Sequence, residues 1–175
     1  MHFSDFKSTS ITLVKSEFDY DRLKLLFLEF ATSIDFDLNY KNFLQELASV
    51  SEVYAPPSGI AFILSHHNNT VGCVGILKGS NLTAQVKRLY VRNIFRNNEY
   101  ARQLLSVATD WAAQVGMRRI RVTASDIMYS AVRIFESNGF HQMAPAPYSI
   151  DNEPAGPVFE RTLISSSEYL KRVAS

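Results

Sequence analysis

The residues best placed to do chemistry lie in one stretch, 86–105, where a β-rich segment runs through a polar loop into a helix. Residues 85–91 are typical of a strand, and Arg96 and Arg102 stand on either side of the helix start. The first N–H groups of a helix have no partner within it, and the helix dipole adds positive charge there. Such a junction can bind an anion such as a pyrophosphate. Spacing alone fits an ordinary strand-to-helix turn with solvated arginines equally well, so both interpretations stand at this point.

Three other groups of residues have simpler explanations. His66 and His67 are adjacent, so in a strand they point to opposite faces, and they indicate a polar hairpin tip rather than a metal site. Cys73 lies in an apolar run and fits a small core residue. The arginines at 118, 119 and 121 are the best feature for nucleic-acid binding, but alternate residues of a strand face opposite sides. The sequence therefore predicts no metal and no nucleic-acid partner.

Length and composition predict a single domain. The chain has 175 residues, with 18 Lys and Arg against 17 Asp and Glu, and one cysteine. This length builds one well-buried core, and the near-neutral charge argues against a surface made for nucleic acids or anionic membranes. One cysteine forms no internal disulfide, which fits a reducing compartment. The first residues lack the apolar core of a signal peptide, and no apolar stretch approaches a membrane span. We expect one cytoplasmic domain over 1–175 with no membrane partner.

Hydrophobic spacing predicts strands and helices in alternation around these residues. Six β-rich runs are predicted as strands: 11–15, 60–65, 71–77, 85–91, 119–123 and 158–163. Four segments are predicted as helices: 18–34, a short helix capped by Asn39, 100–116, and a helix that Ser125 or Asp126 caps and residues 138–140 close. The polar residues 66–70 join two of the strands as an antiparallel hairpin. The strand, helix, strand order after residue 85 implies a parallel pair.

The same stretch resembles the signature of the GNAT (general N-acetyltransferase) superfamily. Residues 87–91 read KRLYV, and a loop leads from them to Arg96. Glu99 and Ala101 then stand at the two small-residue positions of the family's Arg/Gln-x-x-Gly-x-Gly/Ala motif, which opens a helix. Residues 138–140, which read NGF, resemble the ending of the family's next helix. No single match is specific, and together they identify the superfamily.

The resemblance implies an α/β fold with a central mixed, mostly antiparallel sheet, one splayed parallel strand pair and about four flanking helices. It implies transfer of an acetyl group from acetyl-coenzyme A (acetyl-CoA) to an amine of a small molecule or protein, without a metal, and it allows a homodimer. The Val91 N–H then stabilises the developing oxyanion. The residues expected to bind acetyl-CoA are Leu89, Tyr90, Val91, Arg96, Asn97, Asn98, Glu99, Tyr100, Ala101 and Arg102.

Three positions depart from the family pattern. Glu99 replaces a glycine that lets the phosphate approach the backbone, and its carboxylate would repel that phosphate, although Arg96 and Arg102 can offset the charge. Gln85 stands where related sequences have a glutamate that takes the ammonium proton, and an amide cannot act as that base. Phe135 replaces the tyrosine that protonates the leaving thiolate, so we expect it in the core.

Other residues are candidates to replace the lost groups. Tyr129 and Tyr148 are the candidate hydroxyl donors, and His141 is a candidate base, although ordinary packing explains each of them as well. A thiol of pKa about 8.5 also leaves fairly well as an anion. The altered positions support a second hypothesis beside the enzyme, a GNAT-fold module that binds acyl-CoA or a partner without catalysis. No motif in the sequence names the acceptor.

Overall fold

Seven strands form one sheet that positions every other part of the fold. The structure is a computed structural model that describes residues 8–33, 41–96, 98–123, 129–144 and 157–164. Its strands are β1 (Thr9–Leu13), β2 (Gly59–His66), β3 (Asn69–Lys78), β4 (Thr83–Val91), β5 (Arg119–Thr123), β6 (His141–Gln142) and β7 (Val158–Thr162). They lie in the order β1-β2-β3-β4-β5-β7-β6, and within the described residues only β4 and β5 pair in parallel. The predicted mixed, mostly antiparallel sheet is confirmed.

Helices cover both faces of the sheet. Helices α1 (Glu17–Ser33), α2 (Lys41–Ala48) and α3 (Val50–Val53) share a buried cluster with Ile63 and Cys73, whereas α4 (Asn98–Gln114) and α5 (Tyr129–Ser137) share another with Leu64 and Val74. Successive strand residues point to opposite faces, which explains how neighbours join different clusters. The described residues form five α-helices because a break at Ser49 divides the predicted second helix. None of these helices has the length and apolar character needed to span a membrane.

The turn between β2 and β3 contains one of the two adjacent histidines. His66 is the last residue of β2, and His67 is the first residue of the turn. His67 and Asn68 both have a positive φ, 46° and 62°, as a two-residue type I′ hairpin requires. The predicted hairpin tip is therefore confirmed. The expectation that the two side chains point to opposite faces is wrong, because His67 belongs to the turn and its ring centroid lies 4.4 Å from that of His66. Cys73 is fully buried and burial raises the pKa of its thiol, so its predicted place in the core is confirmed too. Within the part of the chain that the structure describes, no three His, Cys, Asp or Glu side chains converge as metal ligands.

Two glycines end the helices that follow the signature. Gly116 and Gly139 have φ of 83° and 79°, a conformation that glycine adopts without a Cβ penalty. After each of them the chain turns back, with Met117 N donating to Ala112 O and Phe140 N donating to Phe135 O. Both predicted stops are confirmed. The start of α4 differs from the prediction, because the helix begins at Asn98, before the predicted 100, and this places Glu99 inside its first turn.

Strand β4 separates from β5 halfway along its length. The two strands pair from Thr83–Arg119 to Val86–Val122, and β4 then continues to Val91. On its other edge β4 carries one extra residue relative to β3, and Arg88, with φ of 53°, lies in this bulge. A bulge bends its strand and increases the local twist. The bulge therefore accounts for the predicted splay of the parallel pair, which the structure confirms.

A network centred on Arg88 holds the bulge in place. Its guanidinium donates from Nε and Nη2 to the Glu46 carboxylate at 3.2 and 2.6 Å. It also lies 5.8 Å from the ring centroid of Phe30 and 5.0 Å from that of Phe43. The Tyr54 hydroxyl donates to the same carboxylate at 2.5 Å. The Arg88 and Glu46 side chains are only 13% and 17% exposed, and their ion pair connects α2 to the bent strand.

Replacing Glu46 by glutamine should therefore lower the stability of the fold. The change leaves the Arg88 guanidinium mostly buried without its counter-charge, which we expect to cost about 2 kcal/mol in the free energy of unfolding. Urea denaturation followed by circular dichroism measures this loss. Glu52→Gln on α3 is the matched control, because that side chain is exposed. Equal unfolding midpoints for the two variants would show that the network does not stabilise the fold.

Candidate active site

A small cavity lies where β4 and β5 separate. Its volume is about 40 Å³, and its lining comes from both strands and from two helices on opposite faces of the sheet: Phe30, Val86, Arg88, Leu89, Val122, Thr123 and Phe135. Phe30 belongs to α1 and Phe135 to α5. The cavity therefore reaches from one face of the sheet to the other through the gap between the strands.

The N–H of Val91 points into the gap beside β4. The N–H of Arg92 donates to Val71 O in β3 at 2.9 Å. Consecutive N–H groups of an extended strand point to opposite edges. The Val91 N–H is therefore directed away from β3, toward the edge where pairing with β5 has ended at Val86. This places a backbone donor on the edge of β4 that has no strand partner beyond Val86 among the described residues.

The helix start carries charges that partly cancel each other. Arg102 donates to Glu99 at 2.5 Å, and both side chains are about half exposed, at 55% and 54%. Arg96 bends back, so that its Nε donates to Val91 O at 3.2 Å. Both arginines expected to bind phosphate thus already have a partner, and Arg102 neutralises the unusual carboxylate. Asn97 and the side chain of Asn98 lie outside the described residues.

The next two residues of α4 have packing roles for their side chains. The Tyr100 hydroxyl lies 2.8 Å from His66 Nδ1, which connects the first turn of α4 to the β2–β3 hairpin. Ala101 is partly buried against the core cluster on the same face as α4. Only their backbone groups therefore remain predicted contacts for a pyrophosphate.

The two altered catalytic positions lie on opposite sides of the gap. Gln85 pairs with Arg121 of β5, one residue before the strands separate. Phe135 lines the cavity from the other side, is 1% exposed, and its ring centroid lies 5.6 Å from that of Phe159. Its predicted place in the core is confirmed. Neither residue offers an acid or a base.

Of the three candidate substitutes for the lost groups, the structure describes only the side chain of His141. Tyr148 and the side chain of Tyr129 lie outside the described part of the chain. His141 is exposed on β6, and β7 separates it from β5. Two strand spacings amount to about 9–10 Å, so the backbone of His141 lies about that far from β5.

Sequence reasoning missed the ion pairs of two arginines on the strands that flank the gap. Arg88 was seen only as part of a motif, and Arg121 only as part of a basic cluster. The structure places Arg88 in the cavity lining and pairs Arg121 with Glu160 at 2.6 Å. The period-two alternation of β5 could have shown that Arg121 faces away from the α4 core, but its partner depends on the pairing with β7.

Comparison with known proteins agrees with this arrangement. Residues 21–140 match the model of the acetyltransferase (GNAT) family. An uncharacterized N-acetyltransferase of Schizosaccharomyces pombe is 30% identical over 138 residues, which cover 78% of this chain and 85% of that protein. A GNAT-family acetyltransferase of Staphylococcus aureus has a similar structure, with a TM-score of 0.76, 17% identity and coverage of 90% of this chain and 100% of the other. PaiA N-acetyltransferase of Thermoplasma acidophilum, solved with coenzyme A, has a TM-score of 0.67 and 14% identity, over 89% of this chain and 99% of its own.

The chain belongs to the acetyltransferase (GNAT) family. The match covers the strand, loop and helix of the signature as well as Gln85 and Phe135. It is an acyltransferase that transfers an acetyl group from acetyl-CoA, and its fold is the one shared by the structural relatives.

Changing Glu99 to glycine should tighten the binding of acetyl-CoA. The change removes a carboxylate from the first turn of α4 and releases Arg102. We expect the Kd to fall about fivefold, as is reasonable for one screened charge near a phosphate group. Isothermal titration measures this, and Glu99→Gln separates the loss of charge from the loss of the side chain. An unchanged Kd in both variants would mean that the pyrophosphate binds elsewhere.

Proposed function

We propose that acetyl transfer to a primary amine takes place in the gap between β4 and β5. One observation carries this assignment, namely the Val91 N–H directed toward the edge that β5 has left. A preorganised backbone donor stabilises the negative charge that develops on a carbonyl oxygen during acyl transfer. Leu89 lines the cavity in the same strand, which suits contact with an extended pantetheine arm.

The start of α4 is the proposed pyrophosphate site. The first N–H groups of a helix and its dipole attract an anion, and α4 follows directly on the loop that leaves β4. Backbone groups of residues 97–101, together with the guanidinium groups of Arg96 and Arg102, would hold the two phosphates. In this proposal Arg102 exchanges Glu99 for a phosphate oxygen.

Catalysis at this site rests on placement more than on acid and base side chains. Bound acetyl-CoA supplies an acetyl group already activated as a thioester. The amine must lose a proton, and neither Gln85 nor Phe135 can move one, so water carries it. The leaving thiol has a pKa of about 8.5 and departs as the thiolate. Alignment by the cavity supplies the remaining rate enhancement.

Two measurements test this proposal against the non-catalytic module. Isothermal titration should show that acetyl-CoA binds, and incubation with a panel of amines should release free thiol. Binding without release on any amine would favour the module that binds acyl-CoA. Absence of binding would contradict both hypotheses. The near-neutral charge and the single buried cysteine further support a cytoplasmic enzyme with one domain over 1–175.

A further inference from the structure

The β2–β3 hairpin lies against the segment that leads from β4 into α4. Thr70 O accepts a hydrogen bond from Nη1 of Arg92 at 2.6 Å, and Val71 O accepts one from the Arg92 N–H at 2.9 Å. The ring centroid of His66 lies 6.0 Å from that of Phe95, which belongs to the short turn after β4. The hairpin therefore contacts both the residue that follows β4 and the turn that precedes α4.

His66 joins three elements of the fold through one ring. Its Nδ1 lies 2.8 Å from the hydroxyl of Tyr100 in the first turn of α4. The same nitrogen lies 3.3 Å from the Thr9 hydroxyl and 3.5 Å from the Ser8 hydroxyl, at the start of β1. The shortest of these distances is that of a well-formed hydrogen bond. One partly buried imidazole thus connects the first turn of α4 to β1 and β2.

The hairpin is itself held by two further elements. Arg22 of α1 donates from Nε to the Thr70 hydroxyl at 2.8 Å and from Nη2 to the Ser65 hydroxyl at 3.2 Å. The N–H of His67 donates to Ser8 O at 2.7 Å. Side chains that position a site do so best when their own surroundings are fixed by packing and hydrogen bonds. The hairpin therefore gives His66 a fixed place from which to hold α4.

We propose that His66 is a positioning residue for acetyl-CoA, because it holds the first turn of α4 where its N–H groups can bind the pyrophosphate. This inference rests on the proposed function, which puts the pyrophosphate at the start of α4. Several backbone donors bind one anion tightly when they already point to a common position, since less freedom is then lost on binding. Tyr100 is one of the residues proposed to supply these donors, and its hydroxyl contacts His66. His66 thus acts on acetyl-CoA through α4.

A double-mutant cycle tests the contact between His66 and Tyr100. His66→Phe keeps a ring and removes Nδ1, whereas Tyr100→Phe removes the hydroxyl on the other side. Each change should raise the Kd for acetyl-CoA about fivefold, the effect of one ordinary hydrogen bond. The double variant should also lose about fivefold rather than about 25-fold, because both changes break the same contact. Isothermal titration measures all three variants, and losses that multiply would overturn the inference.

A conservative variant and a neighbouring control sharpen this test. His66→Asn should bind acetyl-CoA within about twofold of wild type, because its side-chain amide carries a polar atom as many bonds from the backbone as Nδ1. His67→Asn is the matched control, since its side chain is exposed on the turn and asparagine suits its φ of 46°. It should leave the Kd unchanged. Equal losses in His66→Asn and His66→Phe would show that the hydrogen bond does not position α4.

An acetyl donor without the pyrophosphate distinguishes positioning from general damage to the fold. S-acetylpantetheine carries the same thioester and lacks both the pyrophosphate and the nucleotide. With acetyl-CoA, His66→Phe should raise KM about fivefold and leave kcat unchanged. With S-acetylpantetheine, the same variant should change kcat/KM by less than about twofold. An equal loss with both donors would overturn the inference.

The same measurements show which of the two proposals fails. A weaker Kd in His66→Phe, without thiol release by the wild-type protein on any amine, would uphold the inference and contradict the proposed acetyl transfer. Thiol release by the wild type with an unchanged Kd in His66→Phe would overturn the inference and leave the transfer intact. An unchanged Kd in both His66→Phe and Arg102→Gln would contradict the pyrophosphate site itself.

Discussion

An ester in place of the Val91 amide is expected to lower kcat about 10²- to 10³-fold, the usual effect of losing one oxyanion donor. The change replaces the backbone N–H by an oxygen and keeps the side chain, so the packing of β4 against α4 is preserved. It can be introduced as the α-hydroxy acid analogue by semisynthesis or nonsense suppression. Because the N–H points into the gap and away from β3, its loss should leave the sheet ladder intact. The measurement is steady-state thiol release with saturating amine, accompanied by titration of acetyl-CoA.

The neighbouring Arg92 provides the matched control. Its N–H donates to Val71 O, so the same ester substitution there removes a ladder hydrogen bond and should cost about 1 kcal/mol of stability. It should change kcat little, because this donor faces the opposite edge of the strand. Equal losses of kcat at 91 and 92 would mean that the reaction does not use the gap.

Phe135→Tyr is expected to raise kcat about 10- to 100-fold, which is no more than the lower end of the range typical of one positioned general acid. Phe135 lines the cavity from the face opposite Phe30, so a hydroxyl at its ring tip can protonate the departing thiolate. The position is 1% exposed, and an unpaired hydroxyl there should also cost about 1–3 kcal/mol of stability. Burst and steady-state measurements of thiol release, together with urea denaturation, check both effects.

Phe140→Tyr separates the catalytic gain from the change in packing. Phe140 contacts the Phe135 ring, with centroids 6.3 Å apart, and it is fully buried without lining the cavity. Its variant should lose similar stability and gain no rate. If the two variants have the same kcat, the missing tyrosine hydroxyl is not what limits this enzyme.

The residues at positions 85 and 135 favour an enzyme whose rate depends mainly on how it positions its two substrates. The backbone donor at Val91 and the splay between β4 and β5 are present, although Gln85 and Phe135 provide no proton transfer. Effective molarity alone can contribute about 7–11 kcal/mol to lowering a barrier.

The sequence by itself determined the local elements that surround the site. Strand β5 was predicted with the observed bounds, Arg119–Thr123, and the stops at Gly116 and Gly139 were read correctly. These features depend on residues only a few positions apart in the chain, which the sequence displays directly. The family motif likewise predicted the splay and the place of Phe135 in the core.

Only the tertiary structure decided which distant side chains meet at the gap. Glu46 is 42 residues from Arg88, and Glu160 is 39 residues from Arg121, so neither pairing follows from a local pattern. The bulge at Arg88 arises from the register between β3 and β4, and the packing of both sheet faces fixes that register. The contact between Arg121 and Glu160 depends in turn on β7 lying beside β5. Strand pairing, which brings together residues far apart in the chain, is the physical reason that these contacts became visible only in the folded protein.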